Sequence, residues 1–402
     1  MEVRINKAWF YAVLAFAVFG TQNSVMMVPP LLVEVATYLE ISVAVAGQMA
    51  TATFAAWAVA VLTVGPLSDS FGRRPVALTG MALTLTSVVA SAFAPNIETL
   101  LALRFLTGFG GGTLPPNAVG ALSDVISPAR RAQAVSGMLV INGVAAAVSA
   151  PLAALLADAG NILLDGSGGW RIAFLAGGLL LATAFTASWV WFPRERRDRV
   201  RNWEFLSRYR ELISRRYFRV AVPVGISQRI AYWSMTSFFA AYLINTYSLD
   251  VGFAALPLGI VASAQVVGSY CAAFVATSRS RAVLLAGVSV AGGALGLVSF
   301  GFPLGLWTTV AVAMVSSGLL SVPIPALVAI STEYSGESKA TGASLMGLSN
   351  QSGGMFGAGI SGVILASSGY AGIGYLLLAA SVLSAALTGL FGRQFGEVAG
   401  RT

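Results

Sequence analysis

Arg104 and Arg229 fall well inside long apolar runs of this 402-residue sequence, and none of its 16 acidic residues lies near the centre of such a run. A charge at the centre of a bilayer costs roughly 2.5–3.5 kcal/mol even on the lenient insertion scale, so backbone carbonyls, amides, water or a bound anion must offset each arginine. The guanidinium is also the side chain shaped to hold a carboxylate or phosphate through paired hydrogen bonds. The remaining amides inside apolar runs are Gln22, Asn23, Asn117, Asn142, Gln228, Gln265, Asn350 and Gln351, with Gln48 near an end. At 1.5 Å per helical residue, Gln22 and Asn23 lie ~21–23 Å along their run, Arg229 ~16 Å, and Asn142 and Asn350 ~15 Å, all around mid-bilayer. Such amides suit either helix-to-helix hydrogen bonds or a central binding site, and Trp57, Tyr232 and Trp233 suit either packing or the lining of that site.

What is missing narrows the chemistry further. The chain has no His, which excludes Ser–His triads and leaves no imidazole for a zinc site. Its single Cys271, within an apolar run, can form no intrachain disulfide or thiolate cluster. No Gly-rich loop of the kind that cradles ATP occurs. The sequence therefore predicts neither an enzyme nor a metal or cofactor site, but a protein that binds and moves something.

The elements that position these side chains are membrane spans. Only 10% of the residues are charged and 56% are hydrophobic, against roughly 25% charged in a soluble protein. Twelve apolar stretches of about 18–28 residues recur, each long enough for a hydrocarbon core about 30 Å thick. An all-α membrane protein of twelve transmembrane helices follows. Spans 3, 6, 9 and 12 hold no internal Asn, Gln or Arg, which marks them as peripheral.

The charge balance, 24 Lys and Arg against 16 Asp and Glu for a net +8, would suggest nucleic acid in a soluble chain. Here the basic residues gather at one set of ends: Arg4 and Lys7, then Arg73, Arg74, Arg130, Arg131, Arg279, Arg281 and Lys339, and finally Arg393 and Arg401. The opposite loops carry Glu34, Glu40, Glu98, Asp158, Asp165 and Asp250. By the positive-inside rule both termini are cytoplasmic in a multi-pass protein of the cell membrane, and no nucleic acid is expected.

An arginine-rich segment, 194–217, separates residues 1–193 from 218–402. At an offset of 208, Ser136 pairs with Ser344, Met138 with Met346, Asn142 with Asn350, Gly110 with Gly318, Pro115 with Pro323, and Arg73 with Arg281. Two six-helix bundles related by pseudo-twofold symmetry along the membrane normal are what such a repeat implies. The offset sets Arg229 opposite Thr21, beside Gln22 and Asn23.

Between spans 2 and 3 the sequence reads GPLSDSFGRRP. With the twelve spans and the repeat, this loop resembles the signature loop of the major facilitator superfamily across the whole chain. The resemblance implies a cytoplasmic latch formed by Gly65, Asp69, Gly72, Arg73 and Arg74, with Asp124 and Arg131 matching its partners. LRFLTGFGGG in span 4, containing Arg104, and GWRIAF opening span 6 are similar to the drug:proton antiporter branch. GVAAAVSAPLA in span 5 keeps Pro151 but has Ala150 where that branch usually has Gly, and AVFGTQNSVMMVPP in span 1 lacks the branch's carboxylate.

The resemblance implies secondary active transport by alternating access, in a monomer within the lipid bilayer. The first expectation is efflux of a small amphipathic or drug-like compound, with any coupling protons carried by Glu34, by Asp158 or by the substrate itself. The alternative is uniport or exchange of a small organic anion clamped by Arg229 and Arg104. In either case the expected site comprises Gln22, Asn23, Trp57, Arg104, Asn142, Gln228, Arg229, Trp233, Gln265, Asn350 and Gln351.

Overall fold

The computed structural model describes residues 7–126, 128–164, 166, 168–192, 204–302, 304–335 and 339–392. Among them every regular element is helical. The first span, α1, runs Lys7–Met26, passes through a 3-10 turn at Pro29–Leu31 and resumes as Leu32–Tyr38. Pro29 and Pro30 lack the amide hydrogens that would continue the α-ladder, so they bend the span without ending it. It therefore reaches beyond residue 32, where the apolar pattern alone suggests a stop.

The rest of the first bundle is α2 (Val43–Ala46 with Gln48–Phe71), α3 (Arg73–Ser91), α4 (Ile97–Val125), α5 (Pro128–Leu163) and α6 (Gly169–Trp191). The turn between α2 and α3 is a single residue, Gly72, at φ 90°, a conformation that a side chain would strain. Asn96 caps α4 by accepting from the Thr99 amide at 2.9 Å.

The second bundle comprises α7 (Arg216–Tyr247), α8 (Val251–Thr277), α9 (Arg281–Gly301) and α10 (Leu306–Ser321 with Pro323–Tyr334). It is completed by Lys339–Leu390, which breaks at Gly369, φ 67°, into α11 (339–368) and α12 (370–390). Eight helical stretches meet a membrane-span criterion of length and apolarity among the described residues, one of them the joined α11 and α12. The others, α3, α4 and α7, are long enough but carry more polar residues.

Within the segment between the bundles, Glu204–Ser214 forms a short amphipathic helix. Its Leu212 is buried with Tyr217, Phe218 and Val220 at the start of α7, so this helix lies against the second bundle. Residues 194–203 lie outside the described residues.

Candidate functional site

The bundles meet along α2 with α11 and α5 with α8, with the bend of α1 reaching α7. The residues that touch are concentrated away from the arginine-rich ends. Phe54 of α2 lies 4.4 Å, ring to ring, from Trp233 of α7, and Gly354 of α11 leaves room for the Phe54 ring. Nearer the Glu34 end, Gly47 receives Phe238, Gly362 receives Gln48, and Gly252 at the start of α8 receives the Asp158 carboxylate. Towards the arginine-rich end the space beside Gly65, Gly143 and Gly347 is open. The seam is thus closed at the Glu34 end and parted at the other.

At the inner edge of the closed part lies a cavity of about 40 Å³ lined by Met26, Ala146, Ala150, Thr236, Gln265 and Ser317, among others. That is room for a few waters at most, so a substrate needs the space that opens toward the arginine-rich end.

A polar chain leads from this cavity to Arg229. Gln265 donates to the Ser317 hydroxyl at 2.6 Å and accepts from the Tyr232 hydroxyl at 3.1 Å. The Arg229 guanidinium lies 4.3 Å from the centre of the Tyr232 ring, a cation–π contact. Arg229 is buried, its Nε has no hydrogen-bond partner, and no acidic side chain pairs with it among the described residues. One helical step further, the Trp233 indole donates to Asn350 Oδ1 at 3.3 Å. Arg229, Trp233, Gln265 and Asn350 are therefore brought together. Gln351, adjacent on α11, is partly buried with an unpaired Oε1.

In the first bundle, Gln22 stands one turn from Met26 and Asn142 one turn from Ala146, both cavity-lining residues. Residues four apart share a helix face, so both are on the seam side. The other candidates go elsewhere. Asn23, one residue and about 100° round from Gln22, faces α5 and α6. Trp57 packs against Gly111 and Gly112 of α4. Gln228 is fully buried and donates to the Leu320 carbonyl. Arg104 is fully buried within the first bundle, where its Nη2 donates to Ser91 Oγ at 2.8 Å, its Nη1 to the Ser24 carbonyl at 3.3 Å, and its guanidinium lies 4.8 Å from the Phe174 ring centre. Arg104 and Arg229 thus do not share a site in this conformation.

At the arginine-rich end, Arg74 donates to the Trp189 carbonyl at 2.6 Å and to that of Phe192, satisfying the C-terminus of α6. Arg73 reaches over Gly120 of α4. The side chains of Asp69, Asp124 and Arg131 lie outside the described residues. In the second bundle, Arg281, the repeat equivalent of Arg73, pairs with Glu333 at 2.9 Å. At the other end Glu34 accepts from Asn161, whose Oδ1 accepts from the Gly169 amide at 2.8 Å.

Phe54, Ser317, Asn161 and Glu333 are absent from the sequence-derived site. Glu333 had a signal, since Asp124 plus the offset of 208 falls one residue short of it. The other three are ordinary residues of apolar runs until their neighbours are known.

The sequence profile of the Major Facilitator Superfamily matches residues 14–357. The chain belongs to this superfamily. Superfamily relatives include the 4-hydroxybenzoate transporter PcaK of Pseudomonas aeruginosa, 37% identical over 120 residues, which are 29% of this chain and 24% of that protein. The niacin transporter NiaP of Acinetobacter baylyi is 33% identical over 133 residues, 33% and 28% of the two chains. A chloramphenicol resistance protein of Pseudomonas aeruginosa is 30% identical over 139 residues, 35% and 32%. These matches span a third or less of each relative's length. The fold is similar over 97% of both chains to a bacterial homologue of the human lysosomal transporter Spinster, captured inward-facing and unoccupied, with a TM-score of 0.76 at 17% identity. The chain thus has the family and the fold of multi-pass membrane transporters.

Proposed function

We propose that this superfamily member carries a small organic anion, an aromatic carboxylate, across the cell membrane, with Arg229 as the group that holds the carboxylate. The observation that carries this reading is the buried Arg229 guanidinium, which has an unpaired Nε and no acidic partner among the described residues. A charge so placed is expensive unless an anion offsets it. The surrounding Tyr232, Trp233 and Phe54 supply ring faces for a planar substrate. The likeness to carriers of 4-hydroxybenzoate and niacin, both aromatic acids, supports the same substrate class.

In this reading the arginine-rich end is cytoplasmic, both termini lie there, and the structure is the state open to the cytoplasm. Rocking of the bundles closes that end through the loop bearing Gly65, Asp69, Gly72, Arg73 and Arg74 with Asp124 and Arg131, and opens the contacts near Gly47, Gly252 and Gly362. Proton coupling runs through Glu34 and Asp158, the carboxylates beside the part of the seam that must open. The working unit is a monomer.

The test is counterflow of labelled 4-hydroxybenzoate in proteoliposomes. Arg229→Gln should lower saturable uptake about 10- to 100-fold, the scale of one hydrogen bond to a charged group, and Arg229→Lys should restore part of it. Undiminished uptake by Arg229→Gln removes the carboxylate clamp. The likeness to the chloramphenicol resistance protein favours a second reading, export of an uncharged drug-like compound. Export of chloramphenicol by wild type and Arg229→Gln alike, without anion counterflow, would put that reading first.

A further inference from the structure

The face of α1 that carries Phe19, Asn23 and Met27 is turned away from the seam. With Leu152 and Leu156 of α5 and Gly177 of α6 it lines a groove of about 450 Å³. Leu179, in the same lining, is 68% exposed, so the groove opens on the outer surface of the bundle, where lipid lies. Asn23 is only 5% exposed. Its amide nitrogen lies over Gly177, where a methyl group in place of the glycine hydrogen would stand 3.5 Å from it and 3.1 Å from the Met27 sulfur.

No described residue hydrogen-bonds the Asn23 side chain. The other polar lining residue, Thr183, donates its hydroxyl to the Leu180 carbonyl at 2.8 Å. Asn23 is therefore the uncommitted polar group in an otherwise apolar recess, and an amide without a partner in hydrocarbon is strongly disfavoured. Gly177 is eight residues from the start of α6, about 12 Å along the helix, so the amide sits at acyl-chain depth, below the reach of a phospholipid headgroup.

We propose that this groove is a binding site, separate from Arg229, for a small uncharged compound dissolved in the bilayer that presents an apolar body to the leucines and one hydroxyl or carbonyl to Asn23. An anion is disfavoured because no lining residue is charged. A second protein helix is disfavoured because the recess is local to one glycine rather than a continuous stripe.

The experiment uses the full chain in lipid nanodiscs and a diazirine-bearing 4-alkylphenol, with crosslinked peptides mapped by mass spectrometry. Labelling should concentrate on the groove residues of α1, α5 and α6. Excess 4-hexylphenol should suppress it at least fivefold, hexylbenzene should not, and Asn23→Leu should reduce it to the level of the lipid-facing leucines of α9. Equal competition by hexylbenzene, or labelling spread evenly over α9 and α12, overturns the proposal. Should Asn23→Leu not fold, Gly177→Leu fills the groove and leaves Asn23 in place; wild-type labelling in that variant is equally fatal. The readout involves no transport, so this site and the carboxylate site stand or fall separately.

Discussion

The ring of Phe54 in α2 meets the ring of Trp233 in α7 at 4.4 Å between centroids, while the Trp233 indole is held by Asn350 of α11. Two bundles and three helices are joined at one aromatic contact, just where the closed part of the seam gives way to the open part. Any change of access must separate these rings.

Phe54→Ala should shift the conformational balance toward the state open at the Glu34 end. An aromatic pair is worth about 0.5–1.5 kcal/mol beyond its buried area, which is a several-fold change in the ratio of states. Electron–electron distances between spin labels at the Glu34 ends of α5 and α8, in a Cys271→Ser background, read it directly. An unchanged distance distribution would show that the pair does not hold the seam.

Gly252→Leu should do the same by collision. A Cβ at residue 252 would come within 2.5 Å of the Asp158 carboxylate and 2.9 Å of the Asp158 Cβ, and the longer leucine side chain reaches past what rotation of that carboxylate can clear. The same spin-label distance should lengthen, and transport should slow because the closed contact no longer forms. Adding Asp158→Ala makes room and should recover part of the wild-type distance; no recovery would place the clash elsewhere.

Arg104→Leu should reduce stability more than it alters substrate preference. It removes two charge-assisted hydrogen bonds, each worth about 1.5–3 kcal/mol, and the contact with Phe174 that ties α4 to α6. The expected result is a lower melting temperature of the purified protein in detergent, with the ratio of uptake for 4-hydroxybenzoate over uncharged analogues unchanged. A collapse of that ratio at unchanged melting temperature would move Arg104 into the substrate site.

Tyr232→Phe keeps the ring beneath Arg229 and removes the hydroxyl that Gln265 accepts. With a neutral hydrogen bond worth about 0.5–1.5 kcal/mol, KM for the anion should rise between two- and tenfold while kcat changes little. Equal losses in kcat and kcat/KM would mean that the hydroxyl serves the rocking step instead.

The twelve spans and the turn at Gly72 are legible in the sequence because each is local. A hydrocarbon core demands some twenty apolar residues in a row, and a one-residue turn demands a glycine, whatever lies elsewhere in the chain. The bend of α1 at Pro29 is half legible: two prolines mark the break, but packing of Leu32, Val35 and Ala36 in the core carries the helix on to Tyr38.

The candidate site is legible in the sequence as a set of polar residues at one depth, and no further. Depth along a helix follows from counting, whereas rotation about its axis follows from which neighbours pack against it. Gln22 and Asn23 are adjacent in sequence, yet one is on the seam face and the other lies in a groove at the lipid surface. Arg104 and Arg229 are alike by composition, depth and lack of a nearby acid. Only the tertiary structure separates them: the Nε of each is unpaired, but Ser24, Ser91 and Phe174 come from three other helices to hold the rest of the Arg104 guanidinium, while Arg229 has Tyr232 of its own helix beneath it.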